Sequence, residues 1–193
     1  MKQIIYYSLL IFPIFLFGQS AGRNESHKEA VSLTDAVSKK TMNSNSIAVN
    51  FNTKVILAYA SKSEQLITDF YTYLALYSQS DTTDLQMEID KSVQQMYFSE
   101  KVLVEDFING TNQKITLLQL LQFCKENKFV VSINGIQNIA VNENSFNIKY
   151  QLLVTTKSVT KTYNFTQKVY LFPVQKTFGF NKKTVWELKL GEF

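Results

Sequence analysis

The chain has 193 residues, with 20 Lys and Arg against 16 Asp and Glu, one His and one Cys. The basic residues are scattered, Lys39-Lys40 and Lys182-Lys183 being the only doublets, so there is no basic stripe for nucleic acid. His27 lies near the start and the glycines are dispersed, which excludes a Ser or Cys triad, a His-carboxylate dyad, a zinc site and a phosphate-binding loop in the remainder. No metal and no cofactor are expected.

Lys2 precedes an apolar run, "IIYYSLLIFPIFLFG", with the basic start and short hydrophobic middle of a secretory signal peptide. It is short for a bilayer span and is interrupted by Pro13. The expected signal covers 1–18, with cleavage after Gly18, Ser20 or Ala21. The product is then exported to periplasm or medium with no remaining membrane span. Cys124, the lone cysteine, is far from that site, so a lipoprotein is excluded, as are an intramolecular disulfide and a Cys-x-x-Cys pair. Residues 19–52 are polar and read as a flexible tether. Within them "EAVSLTDAVSKK" has weak helical spacing, a short helix over 29–40.

From 53 onward the pattern tightens into one domain, 53–193. Ser61-x-x-Glu64 reads as a capping box opening a helix over 64–79, along which Leu66, Ile67, Phe70, Tyr73, Leu74 and Tyr77 recur every three or four residues. "SDTTD" starts a second helix carrying Leu85, Ile89, Val93, Met96 and Tyr97 on one face. "KVLVEDFI" reads as a strand closed by an Asn-Gly turn. Thr116-x-x-Gln119 is a further capping box, with Ile115 and Leu120 as its hydrophobic staple. Cys124 shares a face with Leu117, Leu120 and Leu121 and reads as a core residue.

The remainder is strand. "SFNIKYQLLV" alternates Phe146, Ile148, Tyr150, Leu152 and Val154 with polar residues, the pattern of a sheet with one buried face. "YNFTQKVYLFPV" and "TVWELKL" follow, the latter placing Trp186, Leu188 and Leu190 together. In "FVVSINGIQNIAV", Asn134-Gly135 is read as a bulge in one long strand in preference to a hairpin turn. The fold class is α+β: three N-terminal helices packed on a strongly curved antiparallel sheet, a cone-like half barrel.

This order, with "VLVEDFING" before the third helix and a Trp in the last strand, resembles the nuclear transport factor 2-like superfamily of cystatin-like α+β cones. Within it, "VED" looks like the ketosteroid isomerase strand whose Asp is a general base in the cone. The resemblance implies that role for Asp106, with Tyr71 or Tyr73 as the hydrogen-bond donor to an enolate. A late-strand acid is also implied, and no carboxylate occurs from Thr155 to Val185. Strand alternation places Asp106, and not Glu105, on the face of Val102, Val104 and Ile108. The competing reading is that Asp106 caps the turn beside Asn109-Gly110.

Two functions follow. The leading one is an exported, non-catalytic binding or interaction module. Its cone holds a small apolar ligand or packs against an envelope protein, through Phe70, Tyr73, Tyr77, Val104, Asp106, Phe146, Tyr150 and Trp186. The alternative is an isomerase-like or dehydratase-like enzyme with Asp106 as base and Tyr71 or Tyr73 as donor. A homodimer through the outer face of the sheet, using Tyr163, Tyr170 and Phe172, is a third expectation.

Overall fold

In the computed structural model of the protein the described residues are 46–193 other than 100, 112 and 158. The expected signal peptide, most of the expected tether and the helix expected over 29–40 lie outside them. The end of the tether does not behave as one. Residues 47–50 form a single helical turn, α1 (Ile47–Asn50), whose Ile47 is buried and whose Ile47 N–H donates to the Glu143 carbonyl at 2.7 Å. Phe51 then packs on Tyr59 and, edge-on, on Trp186, with centroids 5.2 and 4.9 Å apart. Apolar residues at 47 and 51 within a polar stretch were the available signal.

The next helix, α2 (Thr53–Gln79), has 27 residues and starts eleven residues before the expected 64. Its cap is Asn52, whose side chain accepts from the Val55 N–H at 3.0 Å. The Ser61–Glu64 capping box does not form, because nothing between 53 and 64 breaks the helix. Ser63 turns its hydroxyl back to the Tyr59 carbonyl, and Glu64 accepts instead from the Asn138 N–H in a distant strand at 2.9 Å. The buried face of α2 runs through Ala60, Ser63, Ile67, Phe70, Tyr71, Leu74, Tyr77 and Ser78.

Helix α3 (Thr83–Met96) buries Ile89, Val93 and Met96 as its spacing predicts, whereas Leu85 in its first turn is exposed. The strand that follows is shorter than expected: β1 spans only Leu103–Glu105 and pairs antiparallel with β2 (Lys114–Thr116). Asp106 to Gly110 leave the strand as a turn, with Gly110 at φ +66. Thr116 then caps α4 (Leu117–Glu126) in the expected box: its side chain accepts from the Gln119 N–H and Gln119 accepts from the Thr116 N–H. Ile115 and Leu120 are both buried, as a staple requires.

The main sheet is an antiparallel meander, β3 (Val130–Val141), β4 (Ser145–Thr156), β5 (Val159–Phe178) and β6 (Asn181–Leu190). The Asn134-Gly135 bulge is present: β3 is one strand, its register shifts between Asn134 and Gln137, and Gly135 has φ +60. Strong curling is not. The sheet is open, with β3 and β6 as its edges, and is not strongly curled. The register breaks are confined to β3, whereas β4 to β5 and β5 to β6 pair without a shift, and bulges are what bend a sheet sharply. Phe146, Ile148, Tyr150, Leu152 and Val154 face the helices from β4, and α2 crosses this face in contact with β3, β4 and β6.

Candidate functional site

Asp106 is buried, 2% exposed, immediately after β1. Its Oδ1 accepts from the Asn109 N–H at 2.9 Å and from the Asn109 amide at 3.4 Å. Its Oδ2 accepts from the same amide at 3.1 Å and from the Thr111 hydroxyl at 3.0 Å. Its N–H donates to the Gln113 carbonyl and its carbonyl accepts from Gly110, so both ends of the residue close the loop between β1 and β2. This is the turn-capping arrangement, made by a short acceptor side chain beside Asn-Gly.

A second polar group lies under α2. Tyr150, on β4, donates to Gln167 Oε1 on β5 at 3.0 Å, so the 2.9 Å contact between the Tyr71 and Tyr150 hydroxyls takes its proton from Tyr71. Gln167 Nε2 in turn donates to the Gly191 carbonyl at 3.1 Å. Burial pushes Tyr71 well above the usual phenol range, with Tyr150 adding to it; burial also raises Tyr150. The negative charge of Glu105 adds to both shifts. Tyr97, which caps α3, has a buried hydroxyl with no hydrogen-bond partner among the described residues, and burial pushes it well above the usual phenol range.

The rings between these groups fill the space. Phe70 meets Tyr71 and Tyr97 edge-on at 5.0 and 5.4 Å, Tyr71 meets Phe107 at 5.5 Å, and Tyr150 meets Phe165 at 5.7 Å. Phe193, beyond β6, inserts against Phe70, Tyr71 and Phe165 at 6.2, 6.2 and 5.0 Å.

Of the residues expected to line a pocket, Phe70, Val104, Phe146 and Tyr150 are brought into this interior with Tyr71, and Tyr77 is buried further along α2. Tyr73 is not; it is 37% exposed on the outer side of α2, which removes it as a donor to Asp106. Trp186 is half-buried and packs on Phe51. On β5, Tyr163 pairs with inward-facing Leu152 and stacks with Phe165 at 5.9 Å, so it belongs to the helix side, opposite Tyr170 and Phe172, and cannot join them in a dimer face.

Tyr97, expected on the apolar face of the second helix, completes the interior together with Gln167, Phe107 and Phe193, which were not expected there. Gln167 was legible: it occupies an inward position between Phe165 and Val169, where an isolated polar residue needs a buried partner. On the surface, a cleft of about 360 Å³ is lined by Phe98, Lys101, Val102, Leu103, Tyr170 and Glu192. No group of three His, Cys, Asp or Glu able to hold a metal occurs among the described residues. Against known proteins the chain matches no family model, no curated protein and no solved structure.

Proposed function

We propose that the protein is an exported, non-catalytic interaction module that binds a partner through its surface, with an interior that serves folding. The observation that carries this is the Asp106 carboxylate. A general base must present a free lone pair to its substrate, and this one is buried with both oxygens taken up by Asn109 and Thr111. The isomerase-like alternative also needs Asp106 beside a tyrosine donor. Tyr71 spends its proton on Tyr150.

The order helix, helix, short strand pair, helix and four-stranded meander supports membership of the nuclear transport factor 2-like superfamily, as a likeness of topology and not of a tightly curled cone. Export rests on the apolar run after Lys2. Between the two kinds of occupant, the insertion of Phe193 among Phe70, Tyr71 and Phe165 favours a macromolecular partner over a small apolar ligand held inside.

Native mass spectrometry of gently purified protein tests this reading. A bare chain mass is the expected result. A reproducible extra mass that is lost on denaturation would overturn it in favour of a small-ligand carrier.

A further inference from the structure

The last two strands continue past the sheet. Pairing of β4 with β5 ends at Ser145–Tyr170, whereas β5 and β6 stay paired from Leu171–Leu188 out to Phe178–Asn181. Phe172 to Phe178 therefore pair only with β6, forming a two-stranded arm braced at its base by Trp186 on Phe51. Such a ribbon has little stability of its own in water.

The tip carries chemistry that the turn does not need. Gly179 has φ +61 and Phe180 has no positive φ, which makes Gly179-Phe180 a two-residue type II′ turn. That turn requires glycine at its first position and accepts almost any residue at its second. Yet Phe180 is 107% exposed and Phe178, beside it, is 52% exposed. Residues 175 to 184 are all exposed, and no neighbour lies within 4 Å of where a Gly179 side chain would start, so the tip is open to solvent.

Its electrostatics are one-signed. No carboxylate occurs from Asn144 to Trp186, a stretch that contains seven lysines. Three of them, Lys176, Lys182 and Lys183, flank the two phenylalanines. Lys176 pairs with Glu187, which lies back toward the sheet, while Lys182 and Lys183 are exposed and make no ion pair among the described residues.

We infer that this arm docks on an anionic lipid bilayer, with Phe178 and Phe180 entering the interface and Lys182 and Lys183 on the headgroups. Two aromatic side chains on a narrow convex tip offer at most about 500 Å², short of the roughly 800 Å² that each side of a stable protein interface buries. Insertion into an interface has no such minimum, and rings ringed by lysines match an apolar layer beneath an anionic one. This surface is separate from the interior, and the inference stands apart from the reading of Asp106.

An environment-sensitive fluorophore on Thr177→Cys in the full chain reports on the tip itself, whatever the N-terminal apolar run does, and the same label on Lys125→Cys in α4 is the control. With vesicles of phosphatidylglycerol and phosphatidylcholine, the tip label is expected to shift to the blue and the control to stay. The apparent affinity should fall about tenfold with Phe180→Ser, a loss of one buried ring, and fall again with added salt or with Lys182→Gln and Lys183→Gln. No shift at the tip in a folded protein overturns the inference, as does an equal response to phosphatidylcholine alone. A shift without lipid that rises with protein concentration, together with a sedimenting dimer lost in Phe180→Ser, would assign the tip to a second copy of the chain and overturn it too.

Discussion

The hydroxyls of Tyr71 and Tyr150 meet at 2.9 Å across the packed interior, joining a helix to a strand 79 residues later in the chain. Through Gln167 the same line of hydrogen bonds reaches the backbone of Gly191 after β6. One polar chain thus ties α2, β4, β5 and the segment after β6, the elements that enclose the core.

Tyr71→Phe removes the proton that Tyr150 accepts and leaves the rings in place. It is expected to lower stability by about 1–2 kcal/mol, the usual cost of an unmet buried hydrogen bond, read from urea unfolding. A variant as stable as the parent, or more so, would mean that the hydroxyl pair is kept for something other than folding.

Asp106→Ala deprives the Asn109 N–H, the Asn109 amide and the Thr111 hydroxyl of their acceptor. A loss of about 2–4 kcal/mol is expected, with Asp106→Asn intermediate because it keeps one acceptor oxygen. An unchanged unfolding midpoint for the alanine variant would remove the turn-capping role.

Alkaline stability follows from three buried phenols. Tyr71, Tyr97 and Tyr150 are all raised above the usual value of 10.0, chiefly by burial. Folded pKa values above the unfolded one leave stability intact below about pH 10 and erode it as pH climbs toward the folded values, because only the unfolded chain ionises. Each such tyrosine should weaken the folding equilibrium about tenfold per pH unit above 10. Phenolate absorbance followed with near-ultraviolet circular dichroism should show this group ionising only as the fold is lost; ionisation of every tyrosine near pH 10 in an intact fold would contradict it.

Cys124 is fully buried on α4, and burial, with the Asp106 charge adding to it, pushes its thiol up. Since the thiolate is the reactive form, alkylation at pH 8 should be negligible in the native protein and track unfolding when urea is added. Rapid labelling without denaturant would show that α4 opens readily.

The periodic apolar residues of α2, α3 and α4, the alternation along β4, the Thr116 capping box and the Asn134-Gly135 bulge were all readable in the chain, because each depends on side chains within a few residues of one another. The α+β class and the burial of Cys124 follow from the same local patterns. Two matters were decided only by tertiary structure. Glu64 looked like a cap but is drawn to a strand 74 residues away, and α2 runs through it because helix ends depend on what the flanking chain packs against. Asp106, by contrast, was legible locally: the strand that the alternation assumed ends at Glu105, and the turn cap beside Asn109-Gly110 that the sequence also offered is the one that forms. The chain alone supplied a set of inward aromatics; that they fill the space they enclose depends on Phe193 and Tyr97 arriving from separate elements, and packing between distant elements has no local signature.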